Sequence, residues 1–368
     1  MPLPAPESQR LTWDNYLCQN SRVYQELAEL KRQGWQNSEG DAHFAKQRQR
    51  SDNATAQSKA IFFQMMEQIG EEMNSVNSIL TFPDNMSRGP PRVLDLCFAP
   101  GGFASTILKL DSRVVVRGTT LPPSLGGHEV LLPEWETHPR LRIKFCDLTM
   151  RAGEMGIEPA MIPEGHPDRA NFDFSTRLFV EDAYGGEEAD EPFDLVICDG
   201  QVLRTHMRAE YRENREATRL TLSQLVIGLR RLQGAGDDGR LVMLLHKPDA
   251  LDTALLLWTL STFAQLRLFK PQRKHALRSS FYVLATNVHA NSSEAARAIA
   301  SWKRSWAVAT LGTDEEWKAH REENVFNSNI AQDLTKEFGR ELIRMSEPVW
   351  AIQASALKRA SFVVRKWK

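Results

Sequence analysis

The sequence predicts an α/β fold with a buried, largely parallel sheet and helical regions at both ends of the chain. Three features predict it. Between residues 92 and 286 the apolar runs are short and β-branched, and they alternate with turns or helical segments, as in a sheet covered on both faces by crossover helices. The run Val93-Leu94-Asp95-Leu96 passes at once into a Gly-containing turn and a new helical pattern. Outside this region, apolar residues recur at helical spacing instead. With 368 residues, 42% of them hydrophobic, the chain is long enough for one large decorated domain or two ordinary ones.

Residues 11–34 mix Leu, Tyr and Val with charged positions at helical spacing, which predicts one amphipathic helix. Residues 56–79 predict another, with Ile61, Phe62, Met65, Met66 and Ile69 on its apolar face, and the polar, charge-rich stretch 36–55 between them reads either as an exposed helix extension or as a mobile connector. Pro90 and Pro91 close this N-terminal helical region, 1–88. Strands are expected at 92–98, 113–117, 141–145, 194–198, 241–246, 263–269 and 281–286, and helices at 203–233 and 250–260. Residues 151–192 interrupt the rhythm with eleven acidic residues, three arginines and four prolines, which predicts a solvated surface insertion that can gate a site or meet a protein partner. Residues 291–368 return to a helical pattern with Trp302, Trp306, Trp317 and Trp350, predicting a packed helical appendage or a protein-binding face.

Charge and cysteine content exclude several classes. The 46 basic and 47 acidic side chains balance to −1, so the surface is not uniformly positive and any nucleic-acid contact must be a local patch. Cys18, Cys97, Cys146 and Cys198 form no close pair of the kind a structural zinc site or redox dithiol needs, so reduced thiols and no metal are expected. The start MPLPAPESQR lacks a basic segment followed by an apolar run, and no stretch offers the roughly 18 apolar residues of a membrane span, so an intracellular protein without membrane contact is expected.

The chemistry concentrates at strand ends. In Asp95-Leu96-Cys97-Phe98-Ala99-Pro100-Gly101-Gly102-Phe103 the turn lets backbone approach a bound molecule, and the helix start favours a carboxylate. The spacing is neither GxGxxG nor GxxxxGK, which removes the ordinary dinucleotide and P-loop readings. Asp147 follows the third strand, Asp199 the fourth and Lys247 the fifth, where the carboxyl ends of parallel strands converge on a ligand crevice. Asp147 can accept from a heterocycle amine, and Lys247 can contact an anion or lower a neighbour's pKa.

From Lys59 to about Val283, roughly 60% of the chain, the sequence resembles the FtsJ-type ribose 2'-O-methyltransferases. The Asp95–Phe103 run matches that family's S-adenosylmethionine motif, and Gly118-Thr119-Thr120-Leu121-Pro122 with Gly126-Gly127-His128 resembles its ligand-facing loop after the second strand. The resemblance implies a Rossmann-like S-adenosyl-L-methionine-dependent methyltransferase domain over 89–290, with helices on both faces of the sheet. It implies cofactor contacts from Asp95, Cys97, Phe98, Ala99, Pro100, Gly101, Gly102, Phe103, Thr120, Leu121 and Asp199, with Asp147 at the adenine. It also places Lys59, Asp199 and Lys247 on three members of a catalytic Lys-Asp-Lys-Glu tetrad. Ser280 falls where the family has Glu, and it lacks a fixed negative charge. Glu210 and Glu213 are the candidates to replace that charge.

The implied activity is methyl transfer to an RNA ribose 2'-hydroxyl. The alternatives are transfer to a nonribose hydroxyl and a noncatalytic cofactor- or RNA-binding interaction protein. Lys270, Arg273, Lys274 and Arg278, with Arg204, His206 and Arg208, form the expected phosphate-contacting rim. Lys358, Arg359, Arg365, Lys366 and Lys368, near Phe362 and Trp367, extend a candidate patch.

Overall fold

A computed structural model describes residues 6–37, 55–84, 89–179, 192–203, 206–232, 239–324, 327 and 329–363. All seven expected strands form: β1 (Arg92–Leu96), β2 (Val115–Thr120), β3 (Leu141–Phe145), β4 (Leu195–Cys198), β5 (Arg240–His246), β6 (Gln265–Phe269) and β7 (Ser280–Thr286). They make one sheet in the order β3-β2-β1-β4-β5-β7-β6. The first five are parallel, while β7 runs antiparallel to both β5 and β6. The reason is local. Residues 270–279 contain no helix, so this short link can only return the chain as an antiparallel neighbour.

Helices cover both faces. On one side α3 (Ala56–Asn77) packs on α4 (Gly102–Leu110), burying Met66, Ile69 and Met73 with Phe98, Phe103 and Ile107. Glu67 of α3 ties the pair together by accepting from Ser105 Oγ at 2.7 Å and Lys109 Nζ at 2.6 Å. On the other side lie α5 (Glu216–Leu232), α6 (Leu251–Ser261) and α7 (Ser293–Leu311), whose apolar faces share a second core with the strands. The helical pattern expected from 203 begins at Glu216; a short 3-10 turn, Glu210–Arg212, precedes it.

The N-terminal segment is two helices where periodicity predicts one: α1 (Glu7–Asn20) and α2 (Arg22–Trp35). Ser21 is extended between them, and its side chain accepts from the Tyr24 N–H, so it caps a new helix rather than continuing the old one. Beyond α7 come α8 (Asp314–Asn324), α9 (Ile330–Glu337) and α10 (Gly339–Lys358). The two chain ends form one layer. Tyr24 of α2 meets Trp350 of α10 at 5.0 Å between ring centroids, and the Trp13 indole of α1 donates to the Asp249 carbonyl beyond β5 at 2.9 Å. Trp306, Trp317 and Trp350 are buried, which is the packed outcome expected for the C-terminal tryptophans.

The segment 151–179 corrects the expectation of a solvated insertion. Arg151, Ala152, Glu154, Met155, Ile162 and Leu178 are buried against α5 and α7. Three of its five acids are paired: Glu154 accepts from Arg230 and Arg231, each at 2.5 Å, Asp173 accepts from Arg151, and Asp168 is ion-paired with Arg212 at 2.9 Å and accepts from the Tyr211 hydroxyl at 2.6 Å, while Glu158 and Glu164 are exposed. A sequence count of net charge cannot see such pairing, because Arg212, Arg230 and Arg231 arrive from α5 and its preceding turn and only Arg151 belongs to the segment. Residues 180–191, with six of the eleven acids, lie outside the described residues.

Candidate active site

The sheet order reverses at β1, whose neighbours are β2 and β4, and this is where an open α/β sheet leaves a crevice. Strand β1 carries Asp95 in register with Gly118 of β2 and Ile197 of β4. Cys97 follows with φ +73°, a left-handed backbone that is uncommon for a residue with a side chain. The Phe98 N–H donates to Thr119 O at 2.8 Å and the Ala99 N–H to Thr120 Oγ1 at 3.4 Å, which pins the turn to β2. Gly101, at φ +105°, opens α4 without a capping side chain, so first-turn N–H groups face the crevice. A Cβ on Gly102 would lie 2.5 Å from Met66 Cβ and 2.7 Å from Phe63 O, so the glycine lets α3 cross α4 closely.

The rings of Phe98 and Phe103 are turned into the α3–α4 core, at 0% and 1% exposure, so the turn presents its backbone there. Thr120 is buried, Leu121 is half-buried, and Ala99, Pro100, Gly101 and Gly102 form the floor of the turn.

Asp95 and Asp199 face each other across β1 and β4. Burial and the neighbouring Asp199 push the Asp95 carboxyl well above the usual carboxylate range. Burial pushes Asp199 up to about 7, opposed by a hydrogen bond that the Tyr282 hydroxyl donates to its Oδ1 at 3.2 Å. Among the described residues no lysine, arginine or histidine pairs with either carboxylate, and Asp95 Oδ2 is buried without a hydrogen-bond partner. Two adjacent carboxylates without a protein cation call for a cationic ligand with N–H donors, which suits the ammonium and sulfonium of S-adenosylmethionine. Asp147 is held by Thr149, whose N–H and hydroxyl donate to Oδ1 at 2.8 and 2.7 Å, and among the described residues Oδ2 makes no hydrogen bond. Thr149 in turn contacts Glu216, which is fixed by Arg212 and Arg219 at 2.7 Å each.

No hydrogen bond or ion pair joins Lys59, Asp199, Lys247 and Ser280 to one another among the described residues. Lys59 pairs with Glu129 Oε1 at 2.9 Å, beside His128, whose ring lies 5.3 Å from Phe62. Lys247 ends β5 at φ +49°, with its N–H bonded to Ser279 O at 2.9 Å and its side chain exposed. Ser280 opens β7 opposite His246; its Oγ is buried and has no hydrogen-bond partner among the described residues. Glu213 pairs with Arg208 at 3.0 Å, and no bond brings it or Glu210 to the tetrad positions.

The expected RNA rim is corrected at two residues. Lys270 is 2% exposed, and its ammonium donates to the carbonyls of His275, Arg278 and Ser280 at 3.2, 2.6 and 2.8 Å, so it braces the β6–β7 link from within. Arg208 spends its guanidinium on Leu203 O, His206 O and Glu213. Arg273 and Arg278 are exposed, whereas Arg204 lies outside the described residues. In the C-terminal patch Lys358 pairs with Glu26, Phe362 is buried, and residues 364–368 lie outside the described residues.

Sequence reading passed over two residues that organise the site. Tyr282 is one; its signal is a hydroxyl-tipped side chain in an otherwise apolar strand, on the same face as Ser280. Gln224 is the other: its Oε1 accepts from the Gly200 N–H at 2.8 Å and fixes the turn after Asp199, with no local signal to announce it.

The FtsJ-like methyltransferase family profile matches residues 71–288, more than half of the chain. The chain belongs to the FtsJ-like methyltransferase family. It is accordingly an S-adenosyl-L-methionine-dependent methyltransferase on a Rossmann-like sheet. No curated protein matches it. Similar solved structures include a candidate ribosomal RNA methyltransferase from Plasmodium falciparum, at 13% identity and TM-score 0.34 over 60% of this chain and 96% of that one. Human methyltransferase-like protein 13 with bound S-adenosylhomocysteine is similar at 11% identity and TM-score 0.35, covering 65% and 91%. An rRNA methylase from Streptococcus thermophilus is similar at 12% identity and TM-score 0.32, covering 59% and 96%. Among the described residues no helix is long and apolar enough to cross a membrane.

Proposed function

We propose that this FtsJ-like methyltransferase acts on the ribose 2'-hydroxyl of RNA. The observation that supports it most is the pairing of chemistries at the carboxyl ends of two adjacent parallel strands: Asp199, pushed up to about 7 by burial, after β4, and Lys247, exposed and without a carboxylate partner among the described residues, after β5. Bound S-adenosylmethionine supplies a methyl group on a sulfonium leaving centre. In this reading Asp95 holds the amino-acid ammonium, the Gly101 helix start faces its carboxylate, and Asp147 Oδ2 takes the adenine amine. Lys247 directs its charge at the ribose oxygen and stabilises the negative charge that builds there as the proton leaves; that charge is spent as the O–CH3 bond forms and the CH3–S bond breaks. Asp199, held by Tyr282, accepts the hydroxyl proton. Lys59 is neutralised by Glu129 and lies at the rim beside His128, so its contribution is to position the acceptor.

The test is transfer of a labelled methyl group to an RNA pool, followed by nucleoside mass spectrometry. The expected product is 2'-O-methylated ribose, with turnover falling about a hundredfold or more in Lys247→Ala. Label on a base or on a small hydroxylated molecule would overturn the ribose assignment. Cofactor binding with no transfer to any acceptor would instead favour an interaction protein.

A further inference from the structure

A cavity of about 790 Å³ lies where the layer built from the two chain ends meets the carboxyl edge of the sheet. Trp13 of α1, Tyr24 and Ala28 of α2 and Leu357 of α10 form one wall. Lys247 and Asp249 after β5, with Arg278 and Ser279 before β7, form the other. The first wall lies outside residues 71–288, so the family domain alone does not make this space. Its size is that of a small-ligand site, within the roughly 300–1,000 Å³ typical of such pockets.

The lining is polarised. Of its acids, Asp249 pairs with Lys31 through Oδ2 at 3.4 Å, its buried Oδ1 having no hydrogen-bond partner among the described residues, Asp252 pairs with Arg321 at 2.8 Å, and Asp14 accepts from the Tyr24 hydroxyl at 3.2 Å. Lys247 and Arg278 are exposed, and among the described residues their charged groups form no ion pair or hydrogen bond. Leu30, Leu277, Leu357 and Phe362 supply apolar surface to the same space. The space thus offers two cations without a partner among the described residues, one of them the proposed catalytic lysine, together with apolar surface, which matches an anion carried on a flat apolar body.

We propose that this cavity receives one unpaired nucleotide of single-stranded RNA, with its phosphate on Arg278, its base against the apolar wall and its ribose at Lys247. The proposal rests on the ribose reading above and narrows the acceptor to single strands. A base held in a duplex is stacked and paired, and cannot enter a cavity closed by α1, α2 and α10 without being extruded. Arginine supplies the phosphate contact, and binding weakens as salt rises.

The experiment measures fluorescence anisotropy of a labelled 5'-phosphorylated hexanucleotide, and of the same sequence in a hairpin duplex, with the full chain. Ala28→Trp fills the cavity from α2, and Arg278→Ser removes the cation but keeps the backbone carbonyl that Lys270 uses. Each variant is first shown to keep the wild-type unfolding transition and affinity for S-adenosylmethionine. The single strand is expected to bind at least about tenfold tighter than the duplex, each variant to lose about tenfold, and Arg278→Ser to lower the salt slope by about one. Equal affinity of wild type and both variants for the hexanucleotide, or a duplex bound as tightly as the single strand, overturns the proposal. Failure of the ribose reading shows separately, as a tight, variant-sensitive wild-type complex that yields no labelled ribose.

Discussion

Replacing Asp199 with Asn isolates the electrostatic cost built into the crevice. Burial raises this carboxyl from 3.8 to about 7, so between those values the folded chain binds a proton that the unfolded chain has released. Stability contributed by the protonated form is complete below 3.8 and is lost as pH rises through 7. At about 1.4 kcal/mol per pKa unit, the cost to the ligand-free protein is about 4 kcal/mol at pH 8 and about 2 kcal/mol at pH 5. Solvent at the partly exposed edge of the carboxylate reduces both figures. Asn keeps the shape and can still accept from Tyr282, but it carries no charge to desolvate. Asp199→Asn is therefore expected to be more stable than wild type, with the gap widening by about 2 kcal/mol between pH 5 and pH 8. Urea unfolding at the two pH values, without cofactor, measures this directly. A gap that is constant or narrows with rising pH would refute the assignment of an elevated pKa to Asp199. The same variant should lose methyl transfer at every pH, because its amide cannot accept the hydroxyl proton.

Lys270→Met leaves three carbonyls of the β6–β7 link without their shared donor, and a loss of about 3 kcal/mol in urea unfolding is expected; an unchanged midpoint would show that the link is braced elsewhere. Gly102→Ala forces a methyl group against Met66 and the Phe63 carbonyl, and is expected to cost about 1–3 kcal/mol by chemical denaturation, with failure if the variant unfolds like wild type. Ser280→Ala removes a buried hydroxyl that has no partner, so both stability and turnover should change by less than about twofold in equilibrium constant or rate; a large loss of turnover would give Ser280 a direct role in the reaction.

Much of the sheet was legible because a parallel strand buried on both faces has to be a short apolar run, and turns mark its ends. The expected span 141–145 coincides with β3, and the others differ from the observed strands only at their ends. The turn after Asp95 was legible for a related reason: a strand, two glycines and an immediate helix restrict the backbone regardless of the surroundings. The break at Ser21 was less so, because the helical period of its apolar residues continues across it while the cap depends on one side chain. Arg212, Arg230 and Arg231, supplied by other elements, pair with Asp168 and Glu154 and hold part of the acidic segment after β3 against the core, which no count of its own residues reveals.

Lys270, a surface cation by pattern, became a buried brace because the chain doubles back around it to present three carbonyls. The contact between Tyr282 and Asp199 joins residues 83 positions apart, and the cavity at Lys247 draws its walls from both ends of the chain. The sequence by itself determined the strands, the cofactor turn and the residue types at the strand ends, since those follow from backbone restriction and local burial. Only the tertiary structure decided which charges are paired, which carboxylates lack a cation and how much room the acceptor has, because these depend on distances between segments remote in the chain.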